Sequence, residues 1–137
     1  MRETVFIDSG FWIALVDQRD QYHSKAKETL KPLLKNHRPC LSDFILFEVL
    51  TYLNCSLKRH DLALVFLEKA KTPGISIFMV DELVKAKALE WFQQYSDKDL
   101  SITDCTSFVL MKSQGIRLYA GFDEHFQQMG FATIFSQ

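Results

Sequence analysis

Four acidic residues stand at positions where a carboxylate is either uncommon or functional. Asp8 and Asp123 each follow an apolar run, Asp104 comes at the start of a helical pattern, and Glu48 lies within an almost entirely apolar one. In open α/β sheets, ligands bind at the carboxyl ends of the strands. An ionised carboxylate among apolar side chains needs a partner, a metal ion or a proton. We therefore expect these four side chains to converge on one site.

The chemistry of such a cluster would be hydrolysis of a phosphodiester with the help of a divalent cation. Oxygen-only ligand sets suit Mg²⁺ or Mn²⁺, which keep several waters and take phosphate oxygens as further ligands. A cation of this kind activates water and neutralises charge on the phosphate and the leaving oxygen. Four carboxylates in one partly buried pocket also repel one another, so at least one should have a raised pKa when no cation is bound.

Simpler interpretations remain open for single residues. Asp8 could cap the helix that follows it, and Asp104 could form a capping box with Ser101. Glu48 could form a salt bridge with a lysine or arginine. His125 could act as a general base or a metal ligand, but an isolated histidine in a turn is more typical of surface or packing positions.

Composition indicates a globular protein of one domain, residues 1–137. Apolar residues make up 47% and charged residues 24%, which is ordinary for a globular fold. A chain of this length can bury a sizeable core without disulfide bonds or structural metal ions. Sixteen basic against seventeen acidic residues give a net charge of −1, so any nucleic-acid surface must be a local patch. Three widely spaced cysteines fit neither a disulfide framework nor a zinc site and are expected to be reduced. The sequence has neither a signal-peptide pattern nor an 18-residue apolar run, which predicts a cytoplasmic protein.

Hydrophobic patterns predict an α/β fold with a mainly parallel sheet. Strands are expected near residues 3–7, 75–80, 116–121 and 131–135. Helices are expected after Gly10 and near 22–34, 42–58, 61–71, 81–95 and 101–115. The helix at 42–58 is apolar on nearly every side and is predicted to be mostly buried, whereas residues 37–39 read as a break.

Common nucleotide-binding and phosphoryl-transfer motifs are absent from the sequence. It contains neither GxxxxGK[ST] nor GxGxxG. A receiver or phosphatase would carry D-x-D after the first strand, but Gly10 stands where the second aspartate would be.

The order and spacing of the acidic segments resemble those of a PIN domain. The matching segments are FIDSGFWIAL, the helix around Phe47-Glu48, SITDCTSFVLMKSQGI and GFDEHF, and the resemblance runs from about residue 4 to residue 134. The sequence is especially similar to VapC-like toxins of bacterial toxin–antitoxin systems. No single motif decides this, but the ordered set of four is fairly specific.

The resemblance implies a three-layer Rossmann-like fold with a mainly parallel sheet of four or five strands, and a metal-dependent endoribonuclease. The acids that match the family's metal-binding and catalytic positions are Asp8, Glu48, Asp104 and Asp123, with Mg²⁺ or Mn²⁺ as the cofactor. Ser9 and Thr103 match hydroxyl residues that position water or substrate.

The resemblance also implies partners: an RNA substrate, a cognate antitoxin protein and a second copy in a homodimer. Helices 42–58 and 61–71 offer a candidate surface for the dimer. An alternative function is a PIN scaffold that binds RNA or a partner protein without cutting. Intact acids at all four positions favour the enzyme, because a scaffold has no use for their mutual repulsion.

Overall fold

Five parallel strands form one sheet in the computed structural model of the chain, which describes residues 2–136. The strands are β1 (Glu3–Ile7), β2 (His37–Ser42), β3 (Ser76–Phe78), β4 (Leu118–Ala120) and β5 (Ala132–Thr133). They lie in the order β3-β2-β1-β4-β5, and every neighbouring pair is parallel. β1 is therefore the central strand, and Asp8 follows its carboxyl end.

Seven α-helices connect and flank the strands. They are α1 (Ser9–Val16), α2 (His23–Asn36), α3 (Asp43–Thr51), α4 (His60–Ala70), α5 (Glu82–Gln94), α6 (Ile102–Ser113) and α7 (His125–Gln128). α1 contacts α2, α3 and α4, whereas α5 packs mainly on α6. None of the helices within residues 2–136 is long and apolar enough to cross a membrane. This architecture confirms the predicted α/β class and the parallel sheet.

The core is built around β1 and the helix that follows it. Phe6, Ile7, Phe11 and Trp12 are almost completely removed from solvent, and each such side chain stabilises the fold by roughly 1.5–3 kcal/mol. The indole N–H of Trp12 donates to the carbonyl of Ile7 at 3.2 Å, and its ring meets Phe66 of α4 edge to face. These contacts fix the turn between β1 and α1, where Asp8 lies.

β2 corrects the prediction of a break at residues 37–39. His37–Ser42 pairs with β1 from Glu3 to Phe6, and Pro39 stands opposite Val5. Pairing with β3 starts only at Cys40, so at Pro39 one side of the backbone has no strand neighbour. Proline is tolerated in a strand where no ladder bond is demanded of its missing N–H. The sheet therefore has five strands, the upper end of the predicted range.

The helix predicted at 42–58 is neither uniform nor mostly buried. α3 ends at Thr51, and a π-helical segment, Tyr52–Ser56, continues it. Among its apolar residues only Ile45, Val49 and Leu53 are fully buried, whereas Phe47 is 62% exposed. A helix on the outside of the sheet has room for one buried stripe, so the remaining apolar residues lie at the surface.

The other predicted elements are present with shifted bounds. α2 continues through Pro32 and ends two residues beyond the predicted 22–34. The strand predicted at 131–135 is only Ala132–Thr133, because a 3₁₀ turn, Ile134–Ser136, follows it.

Candidate active site

Asp8 occupies the most enclosed position of any acid in the site. Its backbone N–H donates to the carbonyl of Ala120 at 2.9 Å, which joins the end of β1 to the end of β4. It stands at the N-cap of α1 but its side chain forms no capping hydrogen bond, so the capping interpretation is wrong. The side chain is only 4% exposed. Burial, reinforced by the nearby carboxylates, raises the pKa of Asp8 to about 8.

Gly121 holds the backbone of β4 close to Asp8. A Cβ at this position would lie 3.0 Å from the Cβ of Asp8 and 3.6 Å from its Oδ2. The φ of Gly121 is not positive, so the reason for glycine is close approach and not a left-handed turn. Sequence analysis did not assign Gly121 a role, because a glycine after a strand is common and its neighbour in space is more than a hundred positions away.

Glu48 projects from α3 towards two hydroxyl groups. Burial raises the pKa of Glu48 and Asp104 adds repulsion, whereas the nearby hydroxyls of Ser9 and Thr103 favour the ionised carboxylate and only partly offset the rise. Between residues 2 and 135, no lysine or arginine forms an ion pair with Glu48. The salt-bridge interpretation is therefore wrong for this part of the chain.

Asp104 has two functions in the structure. Its Oδ2 accepts the backbone N–H of Ser101 at 3.1 Å while the Ser101 hydroxyl accepts the N–H of Asp104 at 3.0 Å, so the predicted capping box is real. Burial nevertheless raises the pKa of Asp104, and Asp123 adds to the effect. The cap fixes Asp104 at the N-terminal end of α6, facing the other acids.

Asp123 and His125 complete the cluster from the turn between β4 and α7. Oδ1 of Asp123 accepts a hydrogen bond from the backbone N–H of His125 at 2.9 Å. The same oxygen lies 2.9 Å from Nδ1 of His125, but the angles of this second contact do not make a hydrogen bond. Asp104, Asp123 and His125 each present a ligand atom within 4.8 Å of the others. His125 thus joins the cluster, although its sequence position alone favoured a packing role.

The four predicted acids come together at the carboxyl end of the sheet. Burial raises the pKa of Asp8 most, and Asp104, Asp123 and Glu48 raise it further, so each of these three carboxylates lies within electrostatic range of Asp8. The group of Asp104, Asp123 and His125, whose ligand atoms lie within 4.8 Å of one another, does not include Asp8 or Glu48. Carboxylate oxygens are the ligands that hard divalent cations prefer, and such a cation would relieve the repulsion. The donor set therefore fits Mg²⁺ or Mn²⁺.

Comparison with known proteins gives a consistent family. The family model of the PIN domain matches residues 5–132. The chain is 28% identical over 134 residues to the 23S rRNA-specific endonuclease VapC20 of Mycobacterium tuberculosis, covering 95% of this chain and 97% of the relative.

Solved structures show the same fold. The crystal structure of M. tuberculosis VapC20, described as a Sarcin-Ricin loop cleaving toxin, superposes with a TM-score of 0.83 at 27% identity, over 93% of this chain and 96% of that chain. VapBC2 from Rickettsia felis, bound to a promoter DNA fragment, gives a TM-score of 0.70 at 14% identity, over 95% and 96%. The second likeness, at this low identity, concerns the fold alone.

Proposed function

The chain belongs to the PIN domain family, and from this premise we propose that it is an endoribonuclease that hydrolyses RNA phosphodiester bonds with Mg²⁺ or Mn²⁺. The observation that carries the proposal is the convergence of Asp8, Glu48, Asp104 and Asp123 on one partly buried pocket. We further propose that residues 1–137 act as one nuclease domain.

The four acids share one role in this proposal, and Asp8 has a second role. Asp8, Glu48, Asp104 and Asp123 would hold the cation, which supplies an activated water and neutralises charge on the phosphate when bound. The carboxyl group of Asp8, with its pKa of about 8, keeps a proton at neutral pH and releases it when the cation site fills. Ser9 and Thr103, whose hydroxyls favour the ionised form of Glu48, orient that carboxylate and position water or substrate at its edge.

Ribosomal RNA is the substrate class that the relatives favour. VapC20 is named as specific for 23S rRNA and described as cleaving the Sarcin-Ricin loop, and it aligns with this chain over nearly its whole length. Loops in RNA expose unstacked bases that a protein can bind, whereas the grooves of an RNA helix offer little sequence information. We therefore propose an exposed loop of 23S rRNA as the target.

A cognate antitoxin and a homodimer complete the proposal. A cell that produces a nuclease against its own ribosomes needs a protein that binds and silences it. The apolar residues that remain exposed on α4, Leu64 and Val65, offer a surface for a second copy of the chain.

The test is cleavage of defined RNAs by purified protein. A 23S rRNA fragment with the Sarcin-Ricin loop and a panel of unrelated hairpins are incubated with Mg²⁺, with Mn²⁺ or with chelator. We expect cuts in one loop, no activity in chelator, and at least a hundredfold loss in Asp8→Asn and Asp104→Asn. Asp97→Asn, which changes an exposed aspartate outside the cluster, is the matched control and should cut like the parent.

Two outcomes would contradict the enzyme. If Asp104→Asn cuts as fast as the parent, the activity belongs to a contaminant. If the parent protein binds the RNA tightly but leaves it intact with either metal, the non-cleaving PIN scaffold is the correct function.

A further inference from the structure

A pocket of about 560 Å³ opens at the surface beside the acid cluster. Aromatic and hydroxyl side chains form its walls, and none of the lining residues is a lysine or an arginine: Phe44, Phe47, Glu48, Thr51, Tyr52, Ser56 and Thr103. Phe47 and Tyr52 are both exposed, and a surface phenylalanine this open is not explained by packing of the core.

The pocket and the acid cluster share a wall. Glu48 lines the pocket and lies within electrostatic range of Asp104, and Thr103 lines it beside Glu48. A phosphate held at the carboxylates would therefore leave one adjoining nucleotide at the mouth of the pocket. A base has a planar, neutral ring that fits between aromatic walls, whereas a phosphate would meet Glu48 and no cation.

We propose that this pocket binds an unpaired base of the RNA next to the cleaved bond, with Phe47 stacked on the ring. The proposal rests on the function proposed above and adds to it the residue that seats the substrate. Stacking on an aromatic side chain accepts any base, because every base has a π-face. Thr51 and Ser56 also line the pocket, and hydrogen bonds from their hydroxyls to the edge of the ring would give a preference among bases.

The kinetic test compares three variants on the RNA that the parent cleaves. We expect Phe47→Ala to raise KM about tenfold with a smaller effect on kcat, because stacking contributes binding and not the chemical step. Phe47→Trp should keep KM within about threefold of the parent value. Phe92→Ala removes an exposed phenylalanine of α5 that does not line the pocket, and it should leave KM unchanged. Melting curves verify that all three variants are folded.

A binding test separates this proposal from the enzymatic one. RNA hairpins that carry 2-aminopurine at one loop position at a time are titrated with Asp104→Asn protein, which binds without cutting. Fluorescence at one position should be quenched by stacking, and the added change Phe47→Ala should remove the quenching. This assay needs no cleavage, so it remains decisive if the parent protein proves to be a scaffold.

Three results would overturn the pocket assignment. One is an unchanged KM in Phe47→Ala, and another is the absence of quenching at every loop position. The third is a Phe47→Ala protein that handles RNA normally but loses affinity for the antitoxin, which would make the pocket a protein-binding groove.

Discussion

A carboxyl group as enclosed as that of Asp8 keeps its proton at neutral pH unless a cation takes the proton's place. Its pKa of about 8 lies far above the value of 3.8 for a solvated aspartate, so the folded protein binds a proton that the unfolded chain releases. Folding therefore becomes less favourable as the pH rises from about 4 to about 8. The acid cluster therefore lowers the stability of the metal-free protein, and this loss of stability should depend on pH.

Asp8→Asn should raise the metal-free stability at pH 7, because asparagine is neutral in both states and folding no longer has to protonate a carboxyl group that is ionised in the unfolded chain. The expected gain in the free energy of unfolding is roughly 4 kcal/mol at pH 7 and below about 1 kcal/mol near pH 4. Urea unfolding in chelator across this pH range measures it. Glu48→Gln should shift stability the same way but less, since Glu48 is more exposed and its ionised form is hydrogen-bonded. An Asp8→Asn protein that is less stable than the parent at pH 7 would show that the pKa of Asp8 is not raised in the folded protein.

Gly121→Ala should weaken cation binding although it replaces none of the proposed ligands. The new methyl group would press on the Cβ of Asp8 at 3.0 Å and shift its carboxylate, at a cost of about 1–3 kcal/mol in folding. The rise in melting temperature on adding Mg²⁺ should fall well below that of the parent. Gly10→Ala is the matched control, because nothing lies within 4 Å of its added methyl group. Equal Mg²⁺ responses in the two variants would mean that Gly121 does not position Asp8.

Residue types and order predicted the acids but not their surroundings. Asp8, Glu48, Asp104 and Asp123 each stand out in sequence, because an acid after a strand or inside an apolar helix demands an explanation. The role of Gly121 depends on a contact with a residue over a hundred positions away, and no local pattern carries that information.

At the scale of elements, two of the helix caps offer a direct comparison. Ser101 caps α6 at the acid cluster, and Asp81 caps α5 through a hydrogen bond from the N–H of Val84 at 2.9 Å. Ser101→Ala and Asp81→Ala should each lower the free energy of unfolding by about 1 kcal/mol. Chemical unfolding of both variants measures this cost.

The two variants should also agree in their response to Mg²⁺. The backbone N–H of Ser101 still holds Oδ2 of Asp104 after Ser101→Ala, so the carboxylate keeps its place. A thermal shift with Mg²⁺ that disappears in Ser101→Ala alone would show that the hydroxyl, and not the backbone, orients Asp104.

Element prediction was wrong where the local pattern and the position in the fold disagreed. β2 carries His37, Arg38 and Pro39 in its first half, a sequence typical of a break. It nevertheless forms a strand, because pairing with β1 outweighs the local preference of these residues. α3 has an all-round apolar pattern that favours burial, yet Phe47 is exposed. If the pocket beside Phe47 seats a base, the sequence signal for burial was a signal for binding.

At the scale of the whole molecule, exposed apolar side chains on α4 support the prediction of a homodimer. Leu64 and Val65 are both exposed on this helix. Leu64→Glu should convert the dimer to a monomer, because a charge in an apolar interface is left without a partner. Light scattering at tens of micromolar measures the mass. Leu83→Glu, on α5, is 81% exposed in the parent and should leave the mass unchanged.

A monomeric parent protein at that concentration would contradict the dimer itself. A dimer that survives Leu64→Glu but dissociates in Leu83→Glu would move the interface from α4 to α5. Neither result bears on the acid cluster, which is built within one chain.

The wide separation of the clustered acids along the chain ties the site to the order of synthesis. Asp8 leaves the ribosome early, whereas Asp123 and His125 leave only after β1, β2, β3 and β4 have been made. Until then the neighbours of Asp8 are incomplete, and the trio that includes Asp104 does not exist. A nascent chain therefore carries no complete acid cluster until β4 and the turn after it have been synthesised.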